Sequence, residues 1–88
     1  MSENLNFKVK RIFKINKTGA MRAFVDLAVN DEIIIRGLRV VEGKRGAFVS
    51  MPQEKGKDGK WYDTIRCLTR ETRNDIAQCV LEVYEKEK

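Results

Sequence analysis

The sequence predicts an α+β fold, a small antiparallel meander of four to five β-strands followed by one C-terminal amphipathic α-helix. Three observations predict it. Met21, Ala23, Val25, Leu27 and Val29 recur at every second position, the period of a half-buried strand. Turn-forming residues punctuate the chain at short intervals up to Pro52. Beyond Thr69 the apolar period lengthens, with Ile76, Val80, Val83 and Tyr84 at helical spacing.

Taken in order, 1–6 read as a flexible lead, and Phe7 to Ile15 alternate loosely, with Phe, Val and Ile favouring a strand. Lys8, Lys10 and Lys14 are placed on one face of it, where lysines protect a sheet edge. Asn16-Lys17-Thr18-Gly19 supplies a turn before the alternating strand, and Asn30-Asp31 a tight hairpin after it. Glu32 to Val41 is β-rich but interrupted by Gly37, the mark of a bulge or bend. Glu42 to Gly46 forms a second hairpin loop, and Ala47 to Met51 a fourth strand that Pro52 stops. From Gln53 to Lys60 the chain is polar and glycine-containing, which reads as an exposed, mobile loop. A short extended piece, Trp61 to Ile65, is expected to return to the sheet. The strands thus fall within 7–65 and the helix over about 70–86, with Thr69 as its N-cap candidate.

At 88 residues the chain has room for one domain, 1–88, with a thin core. Self-association is the expected source of further apolar burial, since two cysteines make no disulfide framework and there is no histidine for the usual zinc patterns. The first residues lack the charged and apolar segments of a signal peptide, and no apolar run is long enough to span a membrane. A reduced cytoplasmic location follows as an expectation.

The same composition argues against an enzyme. The commonest general base, histidine, is absent, and the carboxylates Asp26, Asp31, Asp58 and Asp63 lack metal-ligand spacing. No cofactor is expected. Cys67 lies among Arg66, Arg70 and Arg73, a setting that lowers a thiol pKa, but packing as a small apolar residue is the simpler role. Cys79, one turn beyond Ile76, reads as core.

The net charge of +5, from 18 Lys and Arg against 13 Asp and Glu, suits a polyanion partner. Its distribution says more. Arg66, Thr69, Arg70, Thr72 and Arg73 crowd the approach and first turn of the helix. Arginines are mildly unfavourable there, because the macrodipole is positive at that end. A phosphate would gain from guanidinium forks and free backbone N–H groups together, whereas the plainer alternative is a polar turn in which Glu71 pairs with the arginines. Lys44 and Arg45 in the hairpin loop, and Lys57 and Lys60 in the polar loop, are candidate extensions of the patch. Trp61 and Tyr62 can stack on bases, but an aromatic pair beside a sheet reads first as core.

Leu38-Arg39-Val40-Val41-Glu42-Gly43-Lys44-Arg45-Gly46-Ala47-Phe48-Val49-Ser50-Met51-Pro52 resembles the central I-R-V-I-x-G-x-x-G-x-F-[IV]-[AS]-M-P stretch of the SpoVG family. The similarity extends to Gly19 through Ala23, Lys57 through Asp63, Thr72-Arg73 and Val80 through Tyr84, nearly the whole chain. The resemblance implies a bacterial cytoplasmic homodimer with a sheet joined across subunits, linked to septation and sporulation. It further implies a regulator that binds DNA, and in some members RNA, through the segment corresponding to Arg66 through Arg73. Two departures stand out. Arg66-Cys67 replaces the family's His-Pro, and Thr69-Arg70-Glu71 replaces polar, serine-rich residues. Many members also carry an acidic tail where this chain stops at Lys88, and its loss predicts a more basic, stronger but less selective binder. The expected partners are therefore nucleic acid and a second copy of the chain, with no membrane and no small-molecule substrate. The competing expectation is a protein-interaction factor of the division machinery, its basic charge incidental.

Overall fold

Strand β2 (Met21–Val29) runs through the middle of the structure because its alternate side chains have no exposure at all: Ala23, Val25 and Leu27 are fully buried. In the computed structural model, which describes residues 5–15 and 19–87, β2 pairs antiparallel with β1 (Phe7–Lys14) and with β3 (Ile33–Gly43). Strand β4 (Gly46–Ser50) adds to β3, giving a four-stranded sheet in the order β1-β2-β3-β4. The helix α1 (Arg70–Glu87) covers one face and buries Ile76, Val80 and Tyr84, each one turn after the last. Leu38, Val40, Val49 and Met51 complete that core from the sheet side. The α+β meander and the helix are as the sequence predicts.

Asn30 and Asp31 both take φ of +54°, and the Glu32 N–H donates to the Val29 carbonyl at 3.0 Å, which makes a type I′ turn between β2 and β3. Asn tolerates that left-handed conformation because its short polar side chain bonds locally. Here it bonds to the start of the chain. The Asn6 N–H donates to Asn30 Oδ1 at 2.7 Å, and the Asn30 N–H donates to the Asn6 carbonyl at 2.7 Å. Asn6, placed in a flexible lead by the sequence, is therefore tied down; 1–4 lie outside the described residues, as does most of the turn expected over 16–19.

Three register shifts shape the sheet. Gly37, at φ of +91°, is the extra residue between the pairs Val25–Leu38 and Asp26–Arg36, so the bulge expected there is present. Arg22 is the extra residue in β2 and sends Met21 to the face opposite Ala23. Lys10 is the extra residue in β1, which corrects one expectation: Lys8, paired with Ala28, and Lys14, paired with Ala23, lie on opposite faces. The face of the sheet away from α1 carries Phe13, Phe24, Ile34 and Phe48, all exposed, with the Arg11 guanidinium 5.2 Å from the Phe13 ring centroid.

Gln53 to Lys60 corrects a second expectation. It opens with a strand, β5 (Gln53–Lys55), which pairs antiparallel with β6 (Trp61–Asp63) in a separate two-stranded sheet. The Trp61 to Ile65 piece therefore does not return to the main sheet. It is anchored instead to the link between β4 and β5: the Thr64 N–H and hydroxyl both donate to the Pro52 carbonyl, at 2.9 and 3.2 Å. Among the described residues no helix is long and apolar enough to cross a membrane.

Candidate nucleic-acid interface

Thr69 caps α1. Its Oγ1 accepts from the Thr72 N–H at 3.2 Å and donates to Thr72 Oγ1 at 3.0 Å, so both threonines of the predicted site have a structural occupation. The cap fixes where the helix starts and thereby where its arginines emerge. Arg70 is the first helical residue and Arg73 lies one turn on, both exposed, with exposed Arg66 in the segment leading in. Cys67 between them is half-buried and packs against the core, in line with its packing role. Cys79 is half-buried too. Its thiol lies 3.5 Å from the Phe7 carbonyl, and burial pushes its pKa above the ordinary value of 9.0.

Two cavities flank the segment before the helix. One, of about 440 Å³, opens between the β5–β6 hairpin and the start of α1; Trp61, Tyr62, Asp63, Arg66 and Arg73 line it, with Met51 and Cys67 at its base. The other, of about 370 Å³, is apolar and takes Thr69, Thr72, Leu68 and Ile76 on one side, Phe7, Val29 and Ile35 on the other. Of the predicted cluster, Arg66 and Arg73 line the first cavity, Arg66, Thr69 and Thr72 line the second, and Arg70 lines neither.

The outlying basic residues divide. Lys57 and Lys60 sit at the tip of the β5–β6 hairpin, and Lys60 immediately precedes Trp61. Lys44 and Arg45 do not join them. The helix starts beside Phe7, Val29 and Ile35, at the end of the sheet where β3 begins, whereas Lys44 and Arg45 turn the chain at the far end of β3, about 30 Å along the strand.

The hairpin is held by a chain of polar contacts. Arg39 donates to Gln53 Oε1 at 2.9 Å, and Gln53 Nε2 donates to Asp63 Oδ1 at 2.8 Å, which fastens β5 and β6 to β3. At the tip the Tyr62 hydroxyl donates to Asp58 Oδ2, while the Lys60 N–H donates to Asp58 Oδ1 at 3.0 Å. These bonds hold the Asp58 carboxyl below its ordinary value of 3.8, the Tyr62 bond being the larger cause, and raise the Tyr62 phenol above 10.0. The depressed carboxyl pKa means that this clasp is in place above about pH 4 and loosens as pH falls further. The raised phenol means that it is intact below pH 10 and lost on ionisation of Tyr62. Gly56 is required beneath: a Cβ there would come within 2.8 Å of the Tyr62 ring.

With the clasp drawn this way, Trp61 is 61% exposed and Tyr62 51% exposed. Neither is core, which overturns the first reading of this pair. A tryptophan with strand propensity gives no sequence signal of the face it will occupy; flanking Gly56 and Gly59, which confine the hairpin, are the nearest thing to one.

Some of the basic residues outside the cluster are paired with carboxylates. Arg22 meets Glu42 at 3.6 Å, Arg36 meets Asp26 at 3.9 Å, and Lys10 meets Asp31 at 4.0 Å. Arg66, Arg70 and Arg73 have no acidic partner or side-chain hydrogen bond among the described residues. No group of His, Cys, Asp and Glu suited to a metal ion occurs among the described residues.

Comparison with known proteins agrees with the motif. The SpoVG family model matches residues 6–86. Relatives carrying the name "Putative septation protein SpoVG" include one from Lachnospira eligens, 38% identical over 82 residues and covering 93% of each chain. Another, from Archaeoglobus fulgidus, is 36% identical over 88% of this chain and 91% of its own. One from Clostridium perfringens is 34% identical over 96% of this chain and 93% of its own. On the strength of that match along nearly its whole length, the chain belongs to the SpoVG family.

Proposed function

We propose that this chain is a homodimeric nucleic-acid-binding regulator acting in the cytoplasm in the control of septation, through the basic segment at the start of α1. The observation that carries this reading is the gathering of cations and exposed aromatic rings at the start of the helix. Arg66, Arg70 and Arg73 are exposed without acidic partners among the described residues, and Arg66 and Arg73 line one cavity with the exposed Trp61 and Tyr62. Unneutralised guanidinium groups are suited to phosphate oxygens, which they bind in pairs of parallel hydrogen bonds. The relatives' name supplies the link to septation.

The dimer is proposed at the edge of β3. Strand β4 pairs only with Arg39 to Gly43, so the earlier half of β3 has an open edge among the described residues, with Ile33 65% exposed and Ile34 50% exposed. An open apolar edge is a template for another strand, and a second copy offers the same one by two-fold symmetry. Light scattering at micromolar concentration is expected to give about twice the 10.2 kDa chain mass; a monomer would contradict the dimer.

Three arginines in each of two copies give up to about six phosphate contacts, and the logarithm of affinity is expected to fall against the logarithm of salt with a slope near about −5. Fluorescence anisotropy with labelled DNA and RNA at several salt concentrations measures it. No binding at low salt would reject the reading. A second reading, a protein-interaction factor of the division machinery, is favoured by the exposed Phe13, Phe24 and Phe48 on the open sheet face. Partners that stay bound after nuclease treatment would speak for it.

A further inference from the structure

We propose that the cavity between the β5–β6 hairpin and α1 takes an unpaired nucleotide, its base stacked on Trp61 and its phosphate held by Arg66 and Arg73. This deepens the nucleic-acid reading and rests on it. Four features lead there. The cavity, about 440 Å³, falls within the size of small-ligand pockets, about 300–1,000 Å³. Its lining puts an exposed indole and two unneutralised guanidinium groups around one space. A large aromatic side chain left 61% exposed beside cations is the arrangement that single-strand binders use, since every base has a π-face and every nucleotide a phosphate. A base inside a duplex has both faces covered by its neighbours and is not free to stack on an indole, whereas an unpaired base is.

Asp63 gives the site a direction. Trp61 and Asp63 are two apart in β6 and lie on one face of the hairpin, so a carboxylate stands on the side of the stacking surface in a cavity that Arg66 and Arg73 also line. A phosphate is repelled from the Asp63 side and drawn to Arg66 and Arg73, while base amino groups find an acceptor at Asp63. The hairpin is also fixed in advance. Gln53 holds Asp63, Asp58 holds Tyr62, and Tyr62 packs over Gly56, so binding orders little backbone.

Trp61 is the one tryptophan of the chain, so its fluorescence reports on this cavity alone. The experiment titrates the full chain with a 12-nucleotide single strand, as DNA and as RNA, and with the blunt duplex of the same sequence, reading Trp61 emission and anisotropy. A single strand of either chemistry is expected to quench the emission and to bind at least about 10-fold tighter than the duplex. Trp61→Ala is expected to remove that preference, with single-strand affinity falling about 10- to 100-fold, and Trp61→Phe to keep most of it. The exposure of Trp61 makes either variant compatible with folding, which circular dichroism confirms. Equal binding of duplex and single strand with unchanged emission would overturn the stacked nucleotide and leave the nucleic-acid reading standing. Failure of the wild-type chain to bind any of the three would overturn both.

Discussion

Replacing Arg66, Arg70 and Arg73 together by alanine is expected to lower nucleic-acid affinity by about 100-fold or more at about 50 mM salt. Each guanidinium lost removes a charge-assisted contact and the counterion release that goes with it, so the salt slope should flatten by about one for every phosphate contact removed. The three side chains are exposed and make no ion pair among the described residues, so the fold has little to lose from their removal. The Thr69 cap, which sets the start of α1, stays intact. A parallel Arg→Lys triple variant separates charge from geometry: it should keep the slope but bind more weakly, because lysine lacks the planar fork. Anisotropy titrations across salt check both. Unchanged affinity in the alanine variant would move the interface elsewhere on the molecule.

Leu38→Ala is expected to be the most damaging single change to stability. Leu38 has no exposure, follows the Gly37 bulge directly and stands opposite Val25 in the sheet under α1. Truncating a buried leucine costs about 2–5 kcal/mol, the lost transfer energy plus the cavity that remains. A domain of this size has about 4–13 kcal/mol in all, so the variant loses a large fraction of its stability. Leu68→Ala is the matched control. Leu68 is 99% exposed, and its truncation should move the transition by less than about 0.5 kcal/mol. Urea titrations followed by circular dichroism at one protein concentration read both, and a loss under about 1 kcal/mol for Leu38→Ala would mean that the core closes over the gap.

The main sheet and the helix were legible because burial imposes a period. Ala23, Val25 and Leu27 announce β2, Ile76, Val80 and Tyr84 announce α1, and Gly37 marks its bulge by chemistry that only glycine supplies cheaply. What was not legible has no period. Gln53-Glu54-Lys55 is three exposed polar residues, and only hydrogen bonds to a strand six residues further on make it β5. The bulge at Lys10 is equally silent, since a lysine carries no signature of an extra residue, and it moved Lys8 away from Lys14. For the site, the sequence could place Arg66, Arg70 and Arg73 near one helix start. It could not place Trp61 in one cavity with two of them, because that depends on how the hairpin is fastened through Arg39, Gln53 and Asp63. Nor could it separate Lys44 and Arg45 from the patch, since charge is visible in a sequence and strand direction is not.

Consecutive pairing of the strands also bears on how the chain acquires its shape. Every neighbour in the main sheet is a neighbour in sequence, joined where described by the short Asn30-Asp31 and Lys44-Arg45 turns, so closing each pair constrains little chain. Docking of α1 against β1 is the distant step, with the Cys79 thiol meeting the Phe7 carbonyl across 72 positions. During synthesis from the N-terminus the meander is complete before the helix has been made, and until then the apolar faces of β2 and β3 wait uncovered. The helix, translated after the strands, is thus the segment that seals the core and, in the same movement, brings Arg73 to the cavity that Trp61 lines.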